Sequence, residues 1–313
     1  MRTRKLGRSG IDISSIGLGT NYVGGHNLYV GVDEDEGVQL VKQAIDLGVT
    51  HVDTADVYGT GRSEELVGKA IEGRRDEVVL ATKGGILFGE HGSGISNDPA
   101  YLRSALERSL KRLNVDYVDL YYIHRHDGKT PVEDAFGALM DFKREGLIRS
   151  AGVSNFELPD LQAAASAGPV DALQSCYNLL QREVEAEVLP WCAKNKVSFI
   201  PWGGLAYGLL GGRYSRDYKL HENDWRHKTG LFDEGAFERN IDTIDSLKAI
   251  AAASDSTLSH LALKWLLSRE SVGSVIAGAK NTGQVSDNVD AESGEISAEH
   301  LASVDALTSA RTR

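Results

Sequence analysis

Short apolar runs rich in β-branched residues alternate with longer segments of helical period along almost the whole chain, and this alternation most limits what it can fold into. A period of two suits a pleated strand and a period near 3.6 suits a helix packed on it, so each pair reads as one βαβ unit. The strand runs are 15–19, 50–53, 78–82, 117–123, 148–153, 172–176, 198–202 and 272–277. The helical segments lie near 35–47, 63–71, 99–113, 132–145, 158–167, 183–195 and 256–267. Asp98 before Pro99, and Thr130 before Pro131, read as N-caps followed by a first-turn proline. Gly48, Gly146 and Gly168 stand where helices should stop. Leu102, Leu106, Leu110 and Leu113 share one helical face, which marks the side that packs inward.

Strands and helices in this order close into a barrel or lie in an open, doubly wound sheet. An open dinucleotide-binding sheet needs a G-x-G-x-x-G turn after a strand. Gly17-Leu18-Gly19 is followed by Thr20-Asn21-Tyr22, so that turn is missing. The expected fold is therefore an α/β (β/α)₈ TIM barrel, with residues 1–313 as one domain. Residues 2–14, with Gly7 and Gly10 between strand-like pieces, read as a hairpin capping one end. Insertions at 84–98 and 207–233 follow strand ends, where barrel loops build sites.

The net charge of −11, from 34 basic and 45 acidic residues, argues against a broad nucleic-acid or anionic-membrane footprint. No apolar run approaches a membrane span, and no apolar leader follows the charged Met1–Lys5 start. Cys176 and Cys192 lack metal-like spacing and read as reduced thiols. The expectation is a cytoplasmic protein that acts on a small molecule, with its oligomeric state left open.

Asp53, Lys83 and His124 end three of the first strands, and Tyr58 lies five residues beyond Asp53. One ionisable residue at a strand end is more often a solvated loop residue. Three complementary ones are harder to dismiss, because barrel strand ends converge on one mouth. His124 and His126 lack a third ligand and do not read as a metal site. His51, two residues before Asp53, shares its face and reads as structural.

Asp53-Thr54-Ala55, Tyr58-Gly59, Ser63 to Gly68, Ala81-Thr82-Lys83, His124 and Gly152-Val153-Ser154-Asn155-Phe156 together resemble the aldo-keto reductase superfamily. The run Gly17 to Asn21, with Gly24 to Tyr29, is further similar to the bacterial branch that includes the inositol-operon reductase. The resemblance implies an NADP(H)-dependent reductase of aldehydes or ketones. It makes Tyr58 the general acid, Lys83 the cation beside it, Asp53 the carboxylate that orients Lys83, and His124 the donor to the carbonyl.

The same resemblance implies the cofactor contacts. Gly19, Thr20, Asn21 and Asp53 lie along the first two strand ends, and Ser154, Asn155 and Gln174 match the groups for the nicotinamide carboxamide. Trp202 stands where an aromatic stacks on the nicotinamide ring. Gly203, Gly204 and Leu205, then Leu209, Gly211 and Arg213, match the loop over the pyrophosphate. Gly278, Ala279, Lys280, Gln284 and Asn288 match the adenosine end. Gly203 and Gly204 replace a frequent serine and proline, and Asn281 stands where the branch can carry a second base. Two other functions stay open: a cofactor-binding regulatory subunit, and a non-redox barrel enzyme.

Overall fold

The structure, a computed structural model, describes residues 1–222 and 224–309. Of the expected domain 1–313, residues 310–313 lie outside the described residues, as does residue 223 in the insertion 207–233. The strands are β1 (Thr3–Lys5), β2 (Asp12–Ser14), β3 (Ile16–Gly19), β4 (His51–Asp53), β5 (Val79–Gly84), β6 (Ile86–Leu87) and β7 (Gly94–Ile95), then β8 (Val118–Ile123), β9 (Ile148–Ser154), β10 (Ala172–Cys176), β11 (Ser198–Trp202) and β12 (Val275–Gly278). The helices are α1 (Glu34–Asp46), α2 (Arg62–Ile71), α3 (Pro99–Leu113), α4 (Val132–Arg144), α5 (Leu158–Ala167) and α6 (Val188–Asn195), then α7 (Ala236–Ala253), α8 (Leu258–Leu267), α9 (Thr282–Asp290) and α10 (Ala298–Ser309).

Eight parallel strands pair in the order β11-β10-β9-β8-β5-β4-β3-β12. The two ends of that row meet at a parallel bridge between Phe199 and Val272, which closes the (β/α)₈ barrel. β1 and β2 form an antiparallel hairpin that carries Leu6, Ile11 and Ile13 into the barrel floor. There they pack with Val79, Ala81, Leu120, Ala172, Ile200 and Ile276, the inward residues of their strands. A second and larger core lies between the strands' outer faces and the helices. The period-two pattern thus serves two cores, one apolar set facing the lumen and one facing the helices.

Local chemistry sets several helix starts. Asp33 accepts from Glu36 N at 2.9 Å, and Asp98 accepts from Ala100 N and Tyr101 N at 2.9 and 3.1 Å. Thr130 is not an N-cap: Pro131 occupies that position, and Thr130 instead gives its hydroxyl and amide to Asp127. Gly168 ends α5 in extended backbone, and a Cβ there would lie 2.6 Å from Met140 Sδ.

The helical segment expected at 183–195 is α-helical only from Val188, after a short turn at Glu183–Glu185. The last strand begins at Val275 rather than at residue 272, because Val272 makes only the closing bridge. α7 was not anticipated, although Phe237, Ile241, Ile244 and Leu247 line its buried face. The 84–98 insertion contains the small β6–β7 hairpin. Among the described residues, no helix is long and apolar enough to cross a membrane.

Candidate active site

Strand alternation turns Asp53, Lys83, Tyr122 and Gln174 toward the lumen at the carboxyl end of the barrel. Lys83 lies inside β5 and is fully buried, and its Nζ donates to Asp53 Oδ1 at 2.5 Å and to the Thr54 carbonyl at 2.8 Å. Gln174 Nε2 donates to the other Asp53 oxygen, Oδ2, at 2.8 Å. Tyr122 lies close by, with Lys83 Nζ 5.9 Å from its ring centre. Gly152 makes room for that ring, since a Cβ there would fall 2.6 Å from it.

Tyr58 stands over this group on the loop between β4 and α2, its ring centre 5.3 Å from Lys83 Nζ. The His124 ring meets it edge-on at 6.2 Å and 85°. The four residues expected to carry chemistry therefore come together.

Burial pulls the Lys83 pKa down, but Asp53 and Tyr58 outweigh it, so the ammonium stays charged with its pKa raised. Burial pushes the Tyr58 phenol up, and Lys83 offsets only part of that rise. Burial is the largest influence, and the Asp53 charge adds to the rise by opposing the Lys83 field. Tyr58 is thus held in its donor form. His124 falls well below the usual imidazole range through burial, helped by Lys83 and Arg125, and is neutral at pH 7. Its Nδ1 is buried with no hydrogen-bond partner among the described residues.

Several residues expected to hold the cofactor stand at neighbouring strand ends of this mouth. Asn155 Nδ2 donates to Ser154 Oγ at 3.0 Å and to the His124 carbonyl at 3.3 Å, while its Oδ1 accepts from Trp202 Nε1 at 3.1 Å. Gly19 ends β3, and a Cβ there would lie 2.7 Å from Ile276 Cγ2. Thr20 is buried and joins strand ends, its Oγ1 donating to the Asp53 carbonyl at 3.0 Å. Asn21 Nδ2 donates to Tyr29 Oη at 2.9 Å.

Beyond Trp202, Gly203 takes φ 69°, and Gly204 packs where a Cβ would lie 2.8 Å from Leu266 Cδ1. The Leu205 carbonyl accepts from Gly208 N and Leu210 N, and Leu209 is core. Gly211 and Arg213 are exposed, and Arg213 has no ion pair among the described residues.

In the segment expected to meet the adenosine, Gly278 is exposed and Ala279 buried. Gln284 Oε1 accepts from Lys280 N at 2.8 Å, and Asn288 Nδ2 donates to the Gly278 carbonyl at 3.3 Å. Both side chains brace this segment, and Asn281 caps α9.

Reading the sequence missed the Thr54 carbonyl, Tyr122 and the tyrosines beside Lys280. Tyr122 had a signal, two residues before His124 on the same strand. Lys280 Nζ lies 5.8 Å from the Tyr22 ring centre and 5.3 Å from that of Tyr29, across more than 250 residues of chain that carry no local cue. His51 is structural as expected, buried and bonded to Ser274 Oγ at 3.0 Å. His126 pairs with Asp160 at 3.2 Å, and His26 with Glu34 at 3.0 Å. His91 packs edge-on against Tyr101, and Arg125 is exposed. No group of three or more His, Cys, Asp and Glu among the described residues is placed to hold a metal.

Residues 15–309 match the model of the aldo/keto reductase family. The chain is 34% identical over 288 residues to the aldo-keto reductase YhdN of Bacillus subtilis strain 168, covering 91% of this chain and 87% of that one. Its fold is similar to the glycerol dehydrogenase AKR11B4 from Gluconobacter oxydans, with a TM-score of 0.91 at 31% identity, covering 99% of this chain and 95% of the other. It is also similar to an aldo-keto reductase from Klebsiella pneumoniae solved in complex with NADPH, with a TM-score of 0.77 at 30% identity, covering 98% and 95%.

Proposed function

This chain belongs to the aldo/keto reductase family and is an oxidoreductase; on that premise we propose that it reduces aldehydes or ketones to alcohols with NADPH, reversibly, with Tyr58 as general acid. The observation that carries the reading is the buried Asp53–Lys83 pair at 2.5 Å beneath a protonated Tyr58, beside a neutral His124. The proposal takes residues 1–313 as one domain around this mouth.

The mouth suits a nicotinamide cofactor. His124 keeps an orphaned ring nitrogen. Gly278 offers bare backbone at the rim, beside Lys280 and the N-terminus of α9. Ser154, Asn155 and Gln174 would hold the carboxamide, with Trp202 against the ring. Gly19 to Asn21 would line the ribose side, and the segment from Gly203 through Arg213 would face the pyrophosphate. Lys280 would meet the 2′-phosphate, on backbone held by Gln284 and Asn288.

NADPH, when bound, supplies the hydride, so the chain needs no nucleophile of its own. Neutral His124 donates to the substrate oxygen and fixes its direction. As the carbonyl carbon is reduced, Tyr58 gives its phenolic proton to the oxygen, and the charged Lys83 stabilises the phenolate left behind. Asp53 keeps Lys83 charged despite its burial. In the oxidation direction the phenolate takes the alcohol proton back.

The test is NADPH absorbance loss over a panel of aldehydes, ketones and sugars, run on wild type and Tyr58→Phe. The variant should lose roughly 10²–10⁴-fold in turnover and bind NADPH as wild type does. Near wild-type turnover would remove Tyr58 from the acid role, and failure to bind NADPH would turn the reading toward a non-redox barrel enzyme.

A further inference from the structure

Gln174 is only 3% exposed, and its bond to Asp53 crosses the lumen from β10 to β4, strands separated by β9, β8 and β5 in the barrel. The amide orientation is forced, because a carboxylate can only accept, so Nε2 faces Asp53 and Oε1 faces away. Asp53 is therefore gripped at both oxygens, by Lys83 on Oδ1 and by Gln174 on Oδ2. Two donors on different atoms fix the plane of a carboxylate, where one donor leaves it free to turn.

We propose that Gln174 is a positioning residue for the proton donor, holding Asp53 so that Lys83 stays aimed at Tyr58, besides any contact it makes with the cofactor. The inference rests on the reading of Tyr58 as general acid. A carboxylate that loses one donor draws harder on the other. Without Gln174, Asp53 takes more of the Lys83 charge to itself, and less of that field reaches the phenol. The groups that face Tyr58 are Lys83 from β5, Asp53 from β4, Asp56 on its own loop, His124 from β8 and Tyr29 from the segment between β3 and α1. Of these, Asp53 is the one Gln174 touches.

The experiment uses Gln174→Met, close in volume but without a donor, and Gln174→Glu, which replaces the donor by an acceptor. Two readouts are taken: the pH profile of kcat/KM for carbonyl reduction, and the ultraviolet phenolate titration of the cofactor-free protein as the difference between wild type and Tyr58→Phe. The basic limb and the phenolate midpoint should both move up by about one pH unit in Gln174→Met and further in Gln174→Glu. The Gln174→Met shift should vanish in an Asp53→Asn background. A raised KM for NADPH with an unmoved pH profile would confine Gln174 to the cofactor and overturn the proposal. An equal shift with and without Asp53 would overturn the route. A wild-type profile unaltered by Tyr58→Phe would instead remove the acid itself.

Discussion

The Trp202 indole N–H donates to Asn155 Oδ1 at 3.1 Å, tying the end of β11 to the end of β9. Asn155 holds φ at 57°, a left-handed conformation that asparagine tolerates better than most residues. Its backbone N–H donates to the Gln174 carbonyl at 2.9 Å, and its Nδ2 reaches the His124 carbonyl at 3.3 Å. One residue in a left-handed backbone conformation thus ties together the Trp202 indole, the Gln174 carbonyl and the His124 carbonyl. NADPH binding should quench Trp202 fluorescence, and Trp202→Tyr should bind NADPH with most of that quench removed. Trp191, Trp225 and Trp265 remain as background. An undiminished quench in the variant would place the cofactor elsewhere.

Lys83→Met should cost stability as well as activity. The substitution leaves the Asp53 carboxylate buried with Gln174 as its remaining side-chain donor. Breaking a buried pair from one side costs about 3–5 kcal/mol, whereas removing both charges costs less. Urea denaturation of Lys83→Met, Asp53→Leu and the double variant should show the double variant less destabilised than the two singles added together. Strict additivity would mean that the pair is not coupled in the folded protein.

Asp53, Lys83 and His124 were legible because strand period and strand ends alone send them to one mouth. What Gln174 does to Asp53 was not legible, because the two residues lie 121 apart in sequence and meet only when the ring closes. α7 could have been read from Phe237, Ile241, Ile244 and Leu247, but it follows a long polar insertion that broke the alternation. α10 had little to read. It buries Val304 and Thr308, packs Leu301 and Leu307 only partly against the core, and is tied besides by Asp305, which accepts from Trp265 Nε1 at 3.0 Å. Such ties leave no period in a sequence. The Thr130 error is one of position: the extended backbone at Pro131 takes the N-cap place, so Thr130 lies one residue outside the helix, where its hydroxyl donates to Asp127.

Asp56 is buried with neither carboxylate oxygen hydrogen-bonded among the described residues. Burial, then the neighbouring Glu64 charge, raises its pKa well above 3.8. The folded state therefore holds this proton after the unfolded chain has released it. Stability should fall as pH rises above about 4, until the folded carboxyl itself ionises. Asp56→Asn removes the proton linkage while keeping the shape. Its melting temperature should match wild type near pH 4 and exceed it increasingly toward pH 8. A difference that stays flat with pH would show Asp56 ionised in the folded protein.

The choice between NADPH and NADH is expected to centre on Lys280. The 2′-phosphate adds close to two negative charges, and a chain of net charge −11 repels it unless a local cation compensates. Lys280 is exposed, yet its ammonium is directed over Tyr22 and Tyr29, whose rings meet edge-on at 5.3 Å. Asn21 fixes Tyr29 through its hydroxyl, and Gln284 fixes the Lys280 backbone. Each cation–π contact at an exposed site is worth about 0.5–1 kcal/mol, enough to restrict the side chain without trapping it. One charge-assisted contact to the phosphate contributes about 1.5–3 kcal/mol. With Asn281 rather than a second base beside it, Lys280 is expected to supply most of the discrimination. Lys280→Ala should therefore weaken NADPH binding about tenfold or more and leave NADH binding nearly unchanged. Tyr29→Ala should give a smaller loss in the same direction, because it frees the cation without removing it. The wild-type preference should shrink as salt rises, since the contact is exposed. Binding titrations with both cofactors at two ionic strengths decide the matter: equal losses for NADPH and NADH, or a wild-type preference for NADH, would take the phosphate away from Lys280.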